Sequence, residues 1–317
     1  MRVLITGAGG FVGVHLAAHL DRYAPQTQLF GTTLFPAERV HPAVEENHLI
    51  DLKDYAKVQA LLAHCRPEAI YHLAAQAFVP RSFEDPWETL ENNIRAQLNI
   101  IQACLELNLQ PRILIVSSAE IYGEVSPTQL PMGEDTEIGP TNPYSVSKVA
   151  QDMLGLQYYL SHDLPIMRAR PFNHIGPGQN SRFVAPAFAM QIARIEEGEQ
   201  EAVIYVGNLA AKRDFTDVRD IVRAYRMIIK SGQPGEAYNV ASGLAYSIQQ
   251  LLDILLSLSD SDIEARVDPA RLRPVDVPEI RGDASKLRRD TGWQPTFTFE
   301  QTLKDVLADC RQRIRQP

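Results

Sequence analysis

The chain has 317 residues, of which 45% are hydrophobic and 22% are charged, and its formal net charge is −8. This composition suits one large α/β domain or two closely joined ones. It gives no support for nucleic acid or an anionic membrane as a partner, because no block of like charges stands out. No apolar run reaches the roughly 18 residues of a membrane span, and the chain starts with a strand pattern instead of a signal peptide. The widely spaced Cys65, Cys104 and Cys310 are typical of reduced structural thiols, so a cytoplasmic location is expected.

Short apolar strands alternate with helical stretches through the first half of the chain. The strand patterns are, in chain order, RVLIT (2–6), QLFGTT (28–33), AIYHLAA (69–75), RILIVSS (112–118) and PIMRARP (165–171). Between the third and fourth of these, Leu98, Ile101 and Leu105 follow the helical period. This alternation predicts a Rossmann-type α/β fold, a doubly wound parallel sheet with helices on both faces.

Beyond residue 171 the pattern changes to proline- and glycine-rich loops such as RPFNHIGPGQNSRF. Further strands are predicted in AVIYVG and EAYNVAS, and helices near 217–231, 247–258 and 299–315. We therefore expect an NAD(P)-binding domain over residues 1–171 and a smaller α/β substrate-binding region over 172–317, with the chain interleaved between the two. The second region is expected to cap the carboxyl ends of the strands, where open α/β sheets bind ligands.

The segment TGAGGFVG (6–13) follows the first strand and opens a helix. Gly7 permits the tight turn, Gly10 lets the backbone approach a pyrophosphate, and Gly13 lets the helix pack closely on the strand. The amino terminus of the helix would face the phosphates. In this context the glycines predict dinucleotide binding.

The end of the second strand bears on the choice of cofactor. An acidic residue there would hold the ribose 2′-hydroxyl of NAD, but the sequence has Thr32 and its neighbours at this position and no carboxylate before Glu38. The pattern favours NADP(H), or tolerance of both NADP(H) and NAD(H).

The segment YSVSK places Tyr144 and Lys148 four residues apart, on one face of a predicted helix. An unperturbed tyrosine has a pKa near ~10. A lysine ammonium close by stabilises the phenolate, and it can also hold a nicotinamide ribose. Tyr144 is therefore a candidate proton donor to a carbonyl oxygen, although such a pair alone also fits a half-exposed helix.

The glycine spacing, the serines at the end of the fourth predicted strand and the YxxxK pair together resemble the short-chain dehydrogenase/reductase superfamily. The resemblance implies that Ser118 orients the substrate carbonyl, with Ser117 in that role only if the strand register differs. It also implies that the cofactor contacts two segments, the end of the third predicted strand and the Asp51–Leu52 pair. The implied cofactor contacts are Gly7, Gly10, Phe11, Val12, Gly13, Thr32, Asp51, Leu52, Leu73, Ala74 and Ala75, together with Tyr144 and Lys148.

Longer segments are similar to the extended branch that modifies nucleotide sugars, specifically sugars derived from GDP-mannose. VGNLAAKRDFTDVRD (206–220) carries this resemblance most clearly, and it implies a GDP-linked deoxysugar as substrate. Guanidinium groups can bind phosphate oxygens bidentately, although Arg213 and Arg273 could instead pair with the nearby Asp214 and Asp276. The implied substrate contacts are Gln76, Ser82, Asn173, Val184, Arg213, Arg273 and Asp276.

Glu120, in VSSAEIYGE, occupies the position of the base that removes a proton in 4,6-dehydratases of this branch. The loop TGAGGFVG and the short chain favour reduction, so Glu120 would support Tyr144 in reducing the C4 ketone of a GDP-4-keto-6-deoxymannose. The alternatives are dehydration of GDP-mannose, 4-epimerisation or a related reduction, and nucleotide sensing without turnover. No metal site is predicted.

The resemblance also implies a homodimer. Members of the family pair through two long helices, here near residues 90–108 and 144–161, to form a four-helix bundle. The sequence agrees in that both segments carry much apolar surface, although the same residues would equally suit the core.

Overall fold

Residues 1–271 and 277–315, which the computed structural model describes, contain a seven-stranded sheet in the order β10-β6-β5-β4-β1-β2-β3, with every neighbouring pair parallel. The strands are β1 (Arg2–Thr6), β2 (Gln28–Thr33), β3 (Val44–Leu49), β4 (Ala69–His72), β5 (Arg112–Val116), β6 (Ile166–Pro171), β7 (Asn173–Ile175), β8 (Val203–Val206), β9 (Lys212–Asp217), β10 (Ala237–Val240), β11 (Ala245–Ser247), β12 (Glu264–Val267) and β13 (Glu279–Ile280). The helices are α1 (Phe11–Tyr23), α2 (Tyr55–Cys65), α3 (Val79–Glu84), α4 (Pro86–Glu106), α5 (Pro143–His162), α6 (Val184–Glu196), α7 (Val218–Ser231), α8 (Ile248–Ser257), α9 (Ser285–Thr291) and α10 (Phe299–Arg315).

The large sheet is covered on both faces, which explains why its central strands are continuous apolar runs. Val3 and Ile5 of β1 pack into a core that includes Leu16 of α1 and Ile221 of α7. Leu4, pointing the opposite way, joins the core built with α2 and α4. Successive residues of one strand therefore serve two different cores.

A smaller region lies beyond β6. Strand β9 pairs with β7, β11 and β13, and β8 pairs with β12. A third core, built largely from α6, α8 and α10, supports these strands. Only Phe172 separates β7 from β6, so the smaller region begins directly at the carboxyl end of the large sheet.

The chain returns to the large sheet after building part of the smaller region. Strand β10 pairs in parallel with β6 as an edge strand of the large sheet, and α7 packs against α1. Residues on both sides of position 171 thus contribute to the large sheet.

Two predicted strands end earlier than their apolar patterns do. Strand β4 ends at His72 because the N–H groups of Leu73 and Ala74 bond to Thr6 Oγ1. Strand β5 ends at Val116, and the chain then enters a 3-10 turn at Ala119–Ile121. Polar residues dominate β3, which apolar alternation therefore did not reveal.

No helix in the described part of the chain is long and apolar enough to cross a membrane. Cys65, Cys104 and Cys310 are all buried and free of disulfides.

Candidate active site

The loop between β1 and α1 has the shape that a dinucleotide pyrophosphate needs. Gly7 adopts a φ of +68°, and a Cβ there would lie 3.1 Å from the backbone of Ala74. At Gly13 a Cβ would lie 2.3 Å from the Gly7 carbonyl oxygen, so only glycine fits. Gly10 is the N-cap of α1 and no side chain caps this helix, which leaves backbone N–H groups at its amino terminus for an anionic group.

Hydrogen bonds fix this loop to the strands on either side. The Thr6 hydroxyl accepts from the N–H groups of Leu73 and Ala74 at 3.1 and 3.2 Å. It lies 2.9 Å from Nδ1 of His72. Burial lowers the pKa of this histidine to about 3. The ring is therefore neutral, and Nδ1 accepts the Thr6 proton. On the other side, Thr32 Oγ1 accepts from the Gly7 N–H at 3.3 Å.

Other predicted cofactor contacts lie at the start of α1 and beyond the ends of β3 and β4. Phe11 and Val12 form the first turn of α1, and the Phe11 ring is stacked on His174 with centroids 6.2 Å apart. Asp51 follows β3 and accepts from the Lys53 N–H at 2.9 Å. Leu52 is buried and Ala75 is half-buried beyond β4.

Glu38 occupies a position that sequence reasoning did not assign to it. The loop after β2 folds back, so that Glu38 Oε1 accepts from the N–H groups of Leu34 and Phe35 at 3.3 and 2.9 Å. The other carboxylate oxygen lies 3.0 Å from where a Cβ of Gly9 would stand. A carboxylate therefore does lie at the carboxyl end of β2, although it comes from a residue five positions beyond the strand.

Helix α5 carries Tyr144 and Lys148 on one buried face. It begins with a capping box, in which Asn142 Oδ1 accepts from the Ser145 N–H at 2.8 Å and Pro143 is the first helical residue. This start places Tyr144 in the first turn. Asn142 was not among the predicted site residues, although an asparagine followed by proline is a usual helix-start signal.

Tyr144 lies against the end of β5. Burial raises its pKa far above the ordinary value of 10.0; the nearby Ser118 hydroxyl acts to lower it and the Glu120 carboxylate to raise it further. The phenol is therefore protonated at neutral pH. Ser118 faces Tyr144, whereas the Ser117 hydroxyl donates to the Lys148 carbonyl at 3.2 Å, so Ser118 is the serine with access to a substrate.

Lys148 is almost completely buried. Its Nζ donates to the Val116 carbonyl at 2.8 Å and lies 5.8 Å from the centroid of the Tyr144 ring. Burial lowers the lysine pKa to about 7. A negative charge that develops on Tyr144 would be stabilised by the nearby ammonium.

Glu120 lies in the 3-10 turn that follows Ser118. Its Oε2 accepts from the Asn142 side-chain N–H at 3.3 Å, and the Ser118 hydroxyl caps the same turn by accepting from the Glu120 N–H at 3.2 Å. The carboxylate is half-buried. All four predicted catalytic residues, Ser118, Glu120, Tyr144 and Lys148, thus lie together where β5 and α5 meet.

A buried ionic network supports this site one helical turn beyond Lys148. Arg168 and Arg170, on β6, donate to the two oxygens of Asp152 at 2.6 and 2.8 Å. Arg170 also donates to the Tyr122 hydroxyl at 3.0 Å. Removal of one partner would leave a buried charge unpaired, so this network fixes α5 against the sheet.

The predicted substrate contacts are spread over several elements of the structure. Gln76 is held by its neighbours: its Nε2 donates to Thr89 at 3.0 Å and its Oε1 accepts from the Phe78 N–H. Ser82 is fully buried, and its hydroxyl donates to the Val79 carbonyl at 2.7 Å.

Three further predicted contacts belong to the smaller region. Asn173 is exposed at the start of β7, and Val184 is half-buried at the start of α6. Arg213, on β9, is buried and donates to the Lys212 and Val277 carbonyls at 2.8 and 2.7 Å. Arg273 and Asp276 lie outside the described residues.

Comparison with known proteins identifies the family of the chain. The GDP-mannose 4,6 dehydratase family matches residues 4–306. The chain belongs to this family. The predicted resemblance to enzymes that modify GDP-linked sugars is thereby confirmed, as is the Rossmann-type fold.

Individual members of the GDP-mannose 4,6 dehydratase family match over nearly the full length. GDP-6-deoxy-D-mannose reductase from Pseudomonas aeruginosa is 37% identical over 315 residues, or 99% of each chain. GDP-6-deoxy-D-talose 4-dehydrogenase from Aggregatibacter actinomycetemcomitans is 30% identical, with 97% of each chain covered. The solved structure of RMD from Pseudomonas aeruginosa complexed with NADPH has a TM-score of 0.88 at 36% identity, covering 98% of this chain and 99% of that one.

Proposed function

We propose that the chain reduces the C4 ketone of GDP-4-keto-6-deoxy-D-mannose to GDP-D-rhamnose, with NAD(P)H as the reductant. The observation that carries this proposal is the likeness, over 99% of both chains, to a reductase of a GDP-linked 6-deoxymannose. The grouping of Tyr144, Lys148 and Ser118 supports it, since ketone reduction requires a proton donor and groups that stabilise an oxyanion. We place the reaction in the cytoplasm.

The residues of the loop between β1 and α1 fit a dinucleotide. The uncapped amino terminus of α1 suits the pyrophosphate, and the close approach at Gly13 allows the helix to lie against the loop. The ribose nearest the reacting ring would be held by Lys148. A bound NAD(P)H supplies the hydride that C4 receives.

Tyr144 delivers the proton in this mechanism. Its raised pKa keeps the phenol protonated, so Oη can donate to the C4 oxygen as negative charge develops there. The Ser118 hydroxyl donates a second hydrogen bond to the same oxygen. Lys148 stabilises the tyrosinate that remains, and solvent then restores the proton.

The GDP group would be held in the smaller region. The chain is acidic overall, with a net charge of −8, so a diphosphate must be met by local cations. Arg213, buried on β9, is a candidate, and its guanidinium is already positioned by two backbone carbonyls. We propose roles for Asn173 and Val184 at the sugar or base, and we retain Arg273 and Asp276 as predicted contacts.

Dehydration of GDP-mannose is the second candidate function. The position of the Glu120 carboxylate favours it. This carboxylate lies beside Tyr144 and is held by Asn142. A base in this position could remove the proton next to a transient ketone. The two functions differ in their need for external reductant, because a dehydratase restores its cofactor within each cycle.

One preparation tests both functions. The purified protein is incubated with GDP-mannose alone and, separately, with GDP-4-keto-6-deoxy-D-mannose plus NADPH or NADH, while absorbance of the reduced cofactor is followed and products are identified by NMR. Stoichiometric loss of reduced cofactor with the keto sugar, and no reaction of GDP-mannose, supports the reductase. Conversion of GDP-mannose without added reductant shows that the proposal is wrong and that Glu120 is the working base. NMR also distinguishes rhamnose from talose.

We further propose a homodimer through α4 and α5. These helices pack side by side and carry exposed apolar residues: Trp87 is 79%, Val146 is 44% and Leu160 is 70% exposed. Val146 and Leu160 lie 14 positions apart, near the same face of α5. Light scattering should give twice the chain mass for the wild type and a monomer for Leu160→Glu. Val267→Glu, on β12, is the control that should leave the dimer intact, and a monomeric wild type would refute the proposal.

A further inference from the structure

Three side chains at the outer edge of the large sheet bring nitrogen and oxygen donors together. Glu46 and His48 belong to β3, and His64 lies in the last turn of α2. One donor atom from each lies within 4.8 Å of the other two. His64 Nε2 is 2.8 Å from Glu46 Oε2, and His48 Nε2 is 3.7 Å from the same oxygen. None of the three takes part in the mechanism proposed above.

A bulge in β3 produces this arrangement. Val44 pairs with Leu29 and Glu46 pairs with Phe30, so Glu45 is the additional residue in the strand. From Glu46 onward, alternate side chains therefore point to the face on which Phe30 packs. Glu46 and His48 are two residues apart and share that face.

Helix α2 completes the cluster from the same side of the sheet. Its buried residues Val58 and Leu62 join the core that contains Phe30. The His64 ring meets the Phe30 ring edge-on with centroids 6.3 Å apart, and the His48 ring with centroids 5.8 Å apart. These contacts restrict how far either imidazole can turn away from Glu46.

A second observation points to a ligand. Nε2 of His48 is buried, although the His48 side chain as a whole is 34% exposed, and it makes no hydrogen bond among the described residues; Glu46 Oε2, at 3.7 Å, lies beyond hydrogen-bond distance. A buried polar atom without a partner is costly. The nitrogen is directed toward the other two donors, where an electron-pair acceptor would satisfy it.

We propose that Glu46, His48 and His64 form a binding site for a divalent transition-metal ion such as Zn²⁺. Two imidazole nitrogens and one carboxylate suit Zn²⁺, which takes such ligands at about 2.0–2.2 Å. Mg²⁺ and Ca²⁺ prefer oxygen ligands and fit the set poorly. Glu46 and His64 are partly exposed, with side-chain exposures of 44% and 57%, so a water molecule can complete the coordination. The ion would join the edge strand to the helix that covers it.

Metal binding is tested on the full chain after treatment with EDTA and removal of the chelator. Zn²⁺ alone is titrated by calorimetry, and Co²⁺ is added in parallel to observe its visible d–d absorption. The expected result is one equivalent per chain. His48→Ala and His64→Ala should each weaken binding by at least the roughly tenfold that loss of an outer-shell partner costs. His162→Ala, an exposed histidine on α5, should bind as the wild type does.

The thermal midpoint provides a second readout. Added Zn²⁺ should raise it for the wild type and for His162→Ala, but not for His64→Gln, which alters only a partly exposed side chain at the end of a helix. The proposal is overturned if the wild type takes up no Zn²⁺ at millimolar concentration. It is equally overturned if the His48 and His64 variants titrate as the wild type does.

Discussion

Asn142 and Glu120 are joined by a hydrogen bond of 3.3 Å between the amide N–H and the carboxylate. The same asparagine caps α5 through its other side-chain atom. The residue that fixes the start of the helix with Tyr144 therefore also fixes the acid beside Tyr144. The charge of Glu120 raises the pKa of the phenol.

Glu120→Gln should lower kcat/KM for ketone reduction by less than about tenfold, because reduction requires no base at this position. The substitution removes a negative charge and should lower the pKa of Tyr144. Since the protonated phenol is the active form, activity should then decline at a lower pH than in the wild type. The pH profile of kcat/KM provides the measurement. A loss above about a hundredfold would instead assign proton transfer to Glu120.

Tyr144→Phe should reduce kcat by about 10²–10⁴-fold, the range expected for loss of a general acid. Cofactor affinity should stay near that of the wild type, because the phenol does not hold the pyrophosphate. Steady-state kinetics and cofactor fluorescence titration separate the two effects. Tyr158→Phe, on the same helix, is the matched control and should retain activity; comparable rates for both variants would exclude Tyr144 as the acid.

Lys148→Met should abolish reduction yet stabilise the folded protein. Burial lowers the pKa of Lys148 to about 7 from its ordinary value of 10.5, so the unfolded chain binds more protons between these two pH values. The resulting penalty on folding is fully present below about pH 7 and disappears as pH rises toward the unfolded pKa. Urea unfolding at pH 7 should show a gain in the free energy of unfolding on the order of a few kcal/mol, since one unit of pKa shift corresponds to about 1.4 kcal/mol.

The pH dependence of that gain provides the critical comparison. It should shrink steadily when unfolding is repeated between pH 7 and pH 10. Lys230→Met, at an exposed position near the end of α7, should show no such trend. A gain that does not change with pH would mean that the stabilisation has another origin.

Glu38→Gln should shift cofactor preference toward NADPH. The carboxylate lies beside Gly9 at the end of β2, where it can accept from a ribose 2′-hydroxyl but would repel a 2′-phosphate. The ratio of NADPH to NADH dissociation constants should fall about tenfold, or about 1.4 kcal/mol. Fluorescence titration measures both constants without the sugar substrate. Glu45→Gln, exposed on β3, is the control, and an equal ratio in both variants would remove Glu38 from cofactor selection.

Gly13→Ala should destabilise the protein by about 1–3 kcal/mol and weaken binding of either cofactor. The reason is steric, because the new methyl group would lie 2.3 Å from the Gly7 carbonyl oxygen. Gly133→Ala is a suitable control, since a Cβ at Gly133 has nothing within 4 Å. Thermal unfolding of the two variants should differ clearly, and equal midpoints would contradict the close packing described here.

Local sequence signals were sufficient to predict the structure where one short segment determines the backbone geometry. The glycine loop and the four-residue spacing of Tyr144 and Lys148 are examples, because a strand end or a single helical turn determines both. The apolar patterns likewise predicted β1, β2, β4, β5 and β6, but they did not predict β3. Helix α10 was predicted at 299–315 and is observed at Phe299–Arg315.

Features that depend on distant contacts were not accessible in this way. Ser82 is predicted to contact the substrate, and its burial, with the hydroxyl donating to the Val79 carbonyl within α3, could not be foreseen from the sequence. Glu38 reaches the end of β2 only because its loop folds back. The cluster of Glu46, His48 and His64 depends on a bulge whose register is set by pairing with β2. No local pattern encodes these three arrangements.

The position of β10 beside β6 has a consequence for synthesis of the protein on the ribosome. When residue 171 has emerged, six strands of the large sheet exist, but the edge of β6 has no partner until residues 237–240 follow. In the interval the nascent chain presents an unpaired strand edge, a surface prone to association with other chains. Production of residues 1–171 alone should therefore yield aggregates, because the strand that pairs with this edge, β10, is missing.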